Sequence, residues 1–325
     1  MRWSAPGRVN IIGEHTDYND GLALPMAIPQ RTSVEAKPAT GGASMIRAYS
    51  PGRADAEFGL DTSPGDVSGW AAYVAGTAWA LRELGVPITA TDLHITSDVP
   101  TGAGLSSSAA LECAVGCALI GLAGAALDRT ALATAARRAE NEYVGAPTGG
   151  MDQLTAMHGQ AGMAVYLDTA TDAVELVPFD LAAQGLELLV VDTRAPHRHA
   201  DGEYGARRAN CTQAADQLGV ESLRELQDSD HDDVLARLAH APVNQRRVRH
   251  VLSENARVQE AARLMRSGDL DALGPVLTRS HASLRDDYEI TVPELDVAVE
   301  AALQAGALGA RMTGGGFGGS IIALV

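Results

Sequence analysis

A segment rich in glycine and serine joins a predicted strand to a predicted helix, and its residue types could bind phosphate. It reads PTGAGLSSSAALE, from Pro100 to Glu112. Gly102 and Gly104 permit positive φ and close backbone approach, and the first N–H groups of the following helix lack internal acceptors. Three hydroxyls follow, from Ser106, Ser107 and Ser108. The combination is typical of an anion site, although it also occurs as a plain helix cap. It lacks the lysine of a Walker A loop, and Ser107 stands where a dinucleotide-binding motif has its third glycine.

A second polar cluster surrounds the first predicted strand and its turn, in GRVNIIGEHTDYNDG from Gly7 to Gly21. Its members are Arg8, Glu14, His15, Asp17 and Asn19. Carboxylates that accept hydrogen bonds, beside an imidazole and a guanidinium that donate them, are what a polyhydroxylated ligand requires. A metal site is the alternative, but the three candidate ligands lie too close in sequence for helical i, i+4 geometry. The pattern favours a sugar over a metal.

Two acidic residues and two aromatic residues have ordinary explanations when taken alone. Asp152 follows Gly149 and Gly150 and falls in the first turn of a predicted helix, where a carboxylate complements the helix dipole. Glu140, on the preceding predicted helix, is by default a solvated residue. Trp70 and Tyr73 open another predicted helix, and a helical aromatic pair usually packs in a core.

The composition bounds the class of protein. The chain has 325 residues, of which 46% are hydrophobic and 20% charged, which predicts a globular protein of two domains. The net charge of -16 repels phosphate backbones and anionic lipids, so we expect neither nucleic acid nor membrane partners. Three cysteines without framework spacing indicate a reducing compartment, and Arg2, Pro6 and Arg8 interrupt any signal peptide. We therefore expect a cytoplasmic protein.

The coarse pattern predicts an α+β fold. Strand-like runs separated by turn residues fill the first third and predict a mixed or antiparallel sheet. Helices are predicted over 70–84, 106–122 and 128–143 and from near Gly150. Three further strands follow, of which 186–192 has the composition of a buried strand, and amphipathic helices dominate 201–306. We place the domain boundary near residue 185.

Three segments together resemble one family. APGRVNIIGEHTDYNDG resembles the galactokinase signature, and PTGAGLSSSAALE resembles the ATP motif of the GHMP kinase superfamily. RMTGGGFGGSIIAL, Arg311 to Leu324, resembles the third motif of that superfamily. The resemblance implies a two-lobed GHMP-kinase-like fold. Residues 1–185 would form a ribosomal S5 domain 2-like lobe with the signature, the ATP loop and the catalytic aspartate, and residues 186–325 a ferredoxin-like lobe with the third motif.

The resemblance also implies roles for individual residues. The catalytic pair would be Asp152 and Arg8. Sugar hydroxyls would be bound by Glu14, His15, Asp17, Gly149 and, in EYGARR, Tyr204. ATP would be bound by Gly102, Gly104, Ser106, Ser107, Ser108, Trp70 and Tyr73. The magnesium ion that accompanies ATP would be held by Ser108 and Glu140.

The implied reaction is transfer of the ATP γ-phosphoryl group to the anomeric hydroxyl of galactose, by a monomer. Alternatives are another sugar 1-kinase, for N-acetylgalactosamine or arabinose, and a non-catalytic regulator that senses galactose and ATP. The intact SSSAA run and Asp152 disfavour the regulator.

Two departures from the family pattern stand out. Thr148 replaces a frequent cysteine, and Val325 directly follows the third motif where relatives continue, so we expect an incomplete C-terminal lobe with an unpaired sheet edge.

Overall fold

The structure is a computed structural model that describes residues 1–39, 44–146, 148–195 and 200–325. These residues form two compact units. The first comprises 1–8, 27–101 and 105–159, and the second comprises 9–26, 102–104 and 160–325. Helices account for 46% of the structure and strands for 22%, which confirms the predicted α+β class. The lobe boundary at residue 185 remains a prediction. Within the described ranges, no helix is both long and apolar enough to cross a bilayer.

The strands include every strand-like segment that the sequence predicts. In chain order they are β1 (Arg2–Asn10), β2 (Leu22–Ala23), β3 (Pro25–Pro38), β4 (Met45–Tyr49), β5 (Ala56–Gly59), β6 (Thr91–Ser97), β7 (Met163–Asp168), β8 (Ala173–Pro178), β9 (Leu188–Asp192), β10 (Gly309–Thr313) and β11 (Ser320–Leu324).

The first four helices begin within a residue or two of the predicted positions, and five further helices occupy the region predicted to be helical. They are α1 (Trp70–Glu83), α2 (Ser107–Ala123), α3 (Arg129–Arg138), α4 (Met151–His158), α5 (Ala200–Leu218), α6 (His231–Arg237), α7 (Pro242–Ser267), α8 (Leu273–Ser283) and α9 (Pro293–Gln304). Asp128 caps α3, since its side chain accepts the N–H of Ala131. The α-helical hydrogen-bond pattern stops at Arg138, and Ala139–Val144 continues as a π-helical segment that carries Glu140.

The first unit is built on a five-stranded sheet in the order β1-β3-β6-β4-β5. The sheet is mixed, as predicted, because β4 pairs with β6 in parallel whereas β3 with β6 and β4 with β5 are antiparallel. Alternate residues such as Val34 and Leu93 are buried against α1 and α2. With few aromatic residues available, this core relies on alanine. A helix that presents alanines lets its neighbours approach closely, and the phosphate-binding candidates at the start of α2 are held by this packing.

The second unit contains two three-stranded sheets, ordered β2-β7-β8 and β10-β11-β9, and helices α5 to α9. Strand β11 is central in its sheet and is buried throughout. The expectation of a buried strand over 186–192 is wrong. Among the described strands β9 pairs only with β11, and Leu189 and Val191 are 50% and 36% exposed. An apolar composition cannot distinguish a central strand from an edge strand, because that depends on the neighbours.

Candidate active site

In the first unit, Asp152 is bound by two side chains from distant parts of the chain. Asp152 lies in the first turn of α4, Arg8 lies in β1, and Ser106 immediately precedes α2. The Arg8 Nε and Nη2 atoms lie 2.7 and 2.6 Å from Asp152 Oδ1. The Ser106 hydroxyl donates to Asp152 Oδ2 at 2.5 Å. The carboxylate is 22% exposed and the guanidinium only 7%, so the ion pair is partly desolvated but open on the side of Asp152.

The geometry of Asp152 leaves room for one more hydrogen bond. An ionised carboxylate accepts about four hydrogen bonds, two on each oxygen. Arg8 Nε donates one to Oδ1, with Nη2 in ion-pair contact with the same oxygen, and Ser106 donates one to Oδ2. The remaining lone pair on Oδ2 can therefore accept a proton or a hydroxyl group from a ligand.

Ser106 has an unusual backbone conformation. Its φ and ψ are 57° and 51°, in the left-handed region that non-glycine residues avoid at a cost of roughly 1–2 kcal/mol. Gly102 and Gly104 nearby also have positive φ, of 78° and 75°. The resemblance predicts that Ser106 binds ATP, but its hydroxyl contacts Asp152. The motif itself gave no signal for this pairing, because the two residues are 46 positions apart.

Glu140 is buried, so the default interpretation as a solvated helix residue is wrong. Its Oε2 atom accepts from Thr148 Oγ1 at 3.0 Å and from Gln153 Nε2 at 2.7 Å, and the Ser108 hydroxyl is near enough to lower the pKa of the carboxyl group. Burial, followed by the charge of Asp152, raises the pKa of Glu140. The two residues assigned to magnesium, Ser108 and Glu140, are thus near each other.

Glu112 and Gln153 belong to the same cluster, although sequence reasoning gave neither a role. The second hydrogen of the Gln153 amide goes to Glu112 Oε2 at 3.1 Å. Glu112 is fully buried on α2, and burial raises its pKa well above its ordinary value, with the nearby Glu140 as the next cause. The signal that could have revealed these two residues was their position in the sequence. Glu112 ends the glycine- and serine-rich motif, and Gln153 directly follows Asp152.

The aromatic candidates differ in their surroundings. Trp70 and Ser107 border a cavity of about 30 Å³, together with Arg53 and Thr101. The Trp70 indole donates to the carbonyl of Ala54 at 3.1 Å, and the Arg53 guanidinium lies 5.5 Å from the centre of the indole ring. Tyr73 packs against the core of the first unit. Gly149 is half-buried in the loop before α4.

In the second unit, the N-terminal turn (residues 10–17) carries the predicted sugar ligands, and Glu14 is its most enclosed member. Glu14 is 1% exposed and forms an ion pair with Arg311, which is 0% exposed. Its other oxygen accepts the N–H of Gly314 at 2.9 Å. Burial raises the pKa of Glu14 to about 7, against the opposing charge of Arg311. The carboxylate is directed towards protein donors rather than open solvent.

His15 is neutral and has a fixed tautomer. Burial lowers the pKa of its imidazole to about 3. Nε2 lies 3.1 Å from the carbonyl of Gly315, which can only accept, so Nε2 carries the proton. Nδ1 therefore accepts from the Tyr18 hydroxyl at 2.6 Å, and Tyr18 in turn contacts the Tyr288 hydroxyl at 2.8 Å.

The other two candidates in this unit lie beside His15. The ring of Tyr204 is 5.0 Å from that of His15, and the Asp17 carboxylate accepts the N–H of Tyr18 at 3.1 Å. The residues assigned to the sugar in the second unit are thus neighbours.

Helix α7 supports the N-terminal turn with residues that sequence reasoning missed. His250 Nε2 donates to the carbonyl of Glu14 at 3.1 Å, and Glu254 accepts the N–H of Gly13 at 3.0 Å. Both residues are fully buried although they lie in a helix with an ordinary amphipathic pattern. A histidine and a glutamate on the apolar side of that pattern were the signal that could have revealed them.

Comparisons with known proteins agree with the motifs. Two GHMP kinase family models match the chain, the N-terminal domain over residues 72–160 and the C-terminal domain over 261–325. The galactokinase galactose-binding signature matches residues 1–38. The chain is 52% identical to the galactokinase of Mycobacterium bovis strain BCG, with 100% of this chain and 89% of the relative covered. It is 49% identical to the galactokinase of Streptomyces coelicolor, with 99% and 84% covered.

Solved structures give the same family. The crystal structure of Lactococcus lactis galactokinase complexed with galactose matches with a TM-score of 0.93 and 35% identity, over 100% of this chain and 85% of that one. A mevalonate kinase structure, 18% identical, matches with a TM-score of 0.69 and shares the fold. The predicted fold class is confirmed. By sequence identity over its whole length and by structure, the chain belongs to the galactokinase family of GHMP kinases.

Proposed function

We propose that this chain transfers the γ-phosphoryl group of ATP to the anomeric hydroxyl of galactose, forming galactose 1-phosphate and ADP. Relatives about half identical over the whole chain are galactokinases, and the Lactococcus lactis relative was crystallised with galactose. The observation that carries the chemistry is the Asp152 carboxylate, held by Arg8 and Ser106 with one lone pair of Oδ2 left for a substrate hydroxyl.

The acidity of the two groups decides when the proton moves. A hydroxyl about as weak an acid as water has a pKa near 15.7, against roughly 3.9 for aspartate, so Asp152 cannot deprotonate the sugar before attack. Phosphoryl transfer has a loose transition state in which the hydroxyl becomes acidic as its bond to phosphorus forms. Asp152 Oδ2 therefore orients the hydroxyl first and accepts its proton late. Arg8 stabilises the ionised carboxylate and fixes its direction.

The phosphates of ATP require donors that are in place before the reaction. We propose that the backbone of Gly102 and Gly104 and the N-terminus of α2, with Ser107 and Ser108, supply them. The helix dipole and free N–H groups favour negative charge there. The cavity beside Trp70 lies at the same end of α2 and supports placing the nucleoside on that side, with Tyr73 behind it.

Ser108 and Glu140 fit a magnesium ion. Hydroxyl and carboxylate oxygens suit this ion, which commonly takes one or two carboxylates together with substrate phosphates. Among the described residues there is no group of three or more histidines, cysteines, aspartates or glutamates arranged to hold a metal, so phosphate and water oxygens would complete the shell. When bound, magnesium would neutralise charge on the phosphates.

We propose that Glu14, His15, Asp17, Gly149 and Tyr204 bind the sugar. A neutral His15 with a fixed tautomer and a Glu14 held by Arg311 offer a preset arrangement of polar groups, which favours a ligand that matches it.

We further propose a cytoplasmic monomer. Its three cysteines, Cys113, Cys117 and Cys211, are free thiols, which supports a reducing compartment.

The test is turnover of galactose in a coupled ADP-release assay, for the wild type and Asp152→Asn. The variant keeps the shape of the side chain but loses the charge, so kcat should fall about 10²–10⁴-fold while ATP affinity by calorimetry stays near that of the wild type. Glu260→Gln, at an exposed ion pair with Arg279, is the control and should turn over normally. An ordinary kcat for Asp152→Asn would contradict the proposed role.

The same assay separates the alternatives. Faster turnover of N-acetylgalactosamine or arabinose than of galactose would make the protein another sugar 1-kinase. Binding of galactose and ATP in the calorimeter without release of ADP would indicate a regulator.

A further inference from the structure

The N-terminal turn is hydrogen-bonded to the end of β10 and to the glycine loop (residues 314–319) that follows this strand. Seven hydrogen bonds join the two segments: Asn10 N to Thr313 Oγ1, Thr313 Oγ1 to the Asn10 carbonyl and to Glu14, Arg311 Nη1 to the Ile11 carbonyl, Arg311 Nη2 to Glu14, Gly314 N to Glu14, and His15 Nε2 to the Gly315 carbonyl. All of these residues belong to the second unit. The third motif thus contacts the first motif through most of its polar groups.

Arg311 is the centre of this set. It is the largest of the fully buried side chains, and its two terminal nitrogens bind two different acceptors, the Ile11 carbonyl at 2.8 Å and the Glu14 carboxylate. Only a planar guanidinium presents donors in fixed directions to two acceptors at once, so lysine cannot reproduce the contact. A buried charge of this kind requires a partner, and Glu14 is that partner.

The conformation of the turn depends on these bonds. His15, directly after Glu14, has a φ of 61° in the left-handed region. A non-glycine residue stays there only where the surrounding structure holds it. The carbonyl of Glu14 is held by His250 and its carboxylate by Arg311, so the residue before the strained position is fixed at both ends. Loosening one of these contacts allows the turn to relax.

We propose that Arg311 is a positioning residue for sugar binding, which acts by fixing Glu14 and thereby the N-terminal turn. The inference rests on the proposed function, because it requires that residues of this turn contact galactose. Both terminal nitrogens of Arg311 are already engaged, by the Ile11 carbonyl and by the Glu14 carboxylate, so the proposal gives Arg311 no direct contact with the sugar. Its effect is therefore expected in the affinity for the sugar rather than in the affinity for ATP.

The test is a double-mutant cycle on galactose affinity, measured by calorimetry, with Arg311→Lys, Glu14→Gln and the double variant. Arg311→Lys keeps the charge but loses the forked contact, and it should weaken galactose binding about tenfold or more while ATP affinity is retained. If Arg311 acts through Glu14, the double variant binds galactose no more weakly than Glu14→Gln alone. Arg266→Lys, at an exposed ion pair with Glu175, is the matched control and should bind galactose as the wild type does.

The possible results distinguish the positioning role of Arg311 from the proposed function. Unchanged galactose affinity in Arg311→Lys, or losses that multiply in the double variant, would overturn the positioning role while leaving the proposed function intact. Failure of the wild type to bind or phosphorylate galactose would overturn the proposed function, and the positioning role with it. If Arg311→Lys does not fold, Thr313→Val replaces it. This variant removes both bonds to Asn10 and should also weaken galactose binding, and wild-type affinity there would refute the proposal.

Discussion

A variant that lacks the Ser106 hydroxyl distinguishes between the two roles that this side chain could have. The sequence resemblance assigns it to ATP, whereas in the structure it donates to Asp152 Oδ2 at 2.5 Å. A hydrogen bond to a charged group contributes roughly 1.5–3 kcal/mol, so its loss corresponds to about a 10- to 150-fold change if it is fully expressed in the transition state. Ser106→Ala should therefore lower kcat within this range, because Asp152 Oδ2 loses its orientation.

The backbone of Ser106 provides an internal check. Because its φ is 57°, Ser106→Gly removes the same hydroxyl but also relieves the left-handed strain. The glycine variant should be more stable than the alanine variant by roughly 1–2 kcal/mol, while both show a similar drop in kcat. Ser107→Ala is the matched control, since Ser107 borders the cavity beside Trp70 and should affect mainly the KM for ATP.

The assays are coupled ADP release for kcat and the KM for ATP, and thermal denaturation for stability. A Ser106→Ala variant with an ordinary kcat and a raised KM for ATP would refute the reasoning, because Ser106 would then be a phosphate ligand and not a support for Asp152. Equal stability of the two variants would show that the loop is not strained at this position.

Three further variants test the electrostatics and the packing. Because the folded state holds Glu112 at a raised pKa, its contribution to stability should fall by about 1.4 kcal/mol per pH unit as pH rises above 4.5 towards that pKa. In urea titrations the stability of Glu112→Gln should therefore depend on pH less steeply than that of the wild type, by this amount, and parallel curves would show that Glu112 is not desolvated. Gly309→Ala would place a methyl group 2.0 Å from the carbonyl oxygen of Gly274, so it should lower the melting temperature strongly, and a wild-type melting temperature would contradict the close approach. Gly205→Ala, at an open position of α5, should instead stabilise the protein by about 0.5–1 kcal/mol, and destabilisation in the same melt would count against a regular helix there.

The sequence predicts those features that depend on local chemistry. Hydrophobic periodicity gives α1 and α2 to within a residue or two, and Asp128 marks the start of α3. Two of the three motifs mark the loop and the N-terminal turn, because a binding segment of a family carries fixed residue types at fixed spacing. Each of these patterns lies within a segment of about 15 residues.

Features that depend on distant neighbours were not predictable from the pattern. The exposure of Leu189 follows from the position of β9 at the edge of its sheet, which no local run of residues determines. The partner of Glu14 is 297 residues away, and His250 is 236 residues from the carbonyl that it binds. Sequence reasoning therefore predicted candidate residues for the chemistry but missed most of the residues that contact and position them.

Burying the polar residues that hold the candidate site residues in place costs free energy, and their burial is therefore informative about the site. Burying Glu112 near Glu140, with a single amide between them, places two carboxyl groups where each disfavours ionisation of the other. Burying Arg311 requires that Glu14 be buried as well. Apolar side chains of similar size would stabilise the same cores at lower cost. In both units these groups adjoin the residues assigned to phosphate, metal or sugar, where the proposed function requires a preset arrangement of charges.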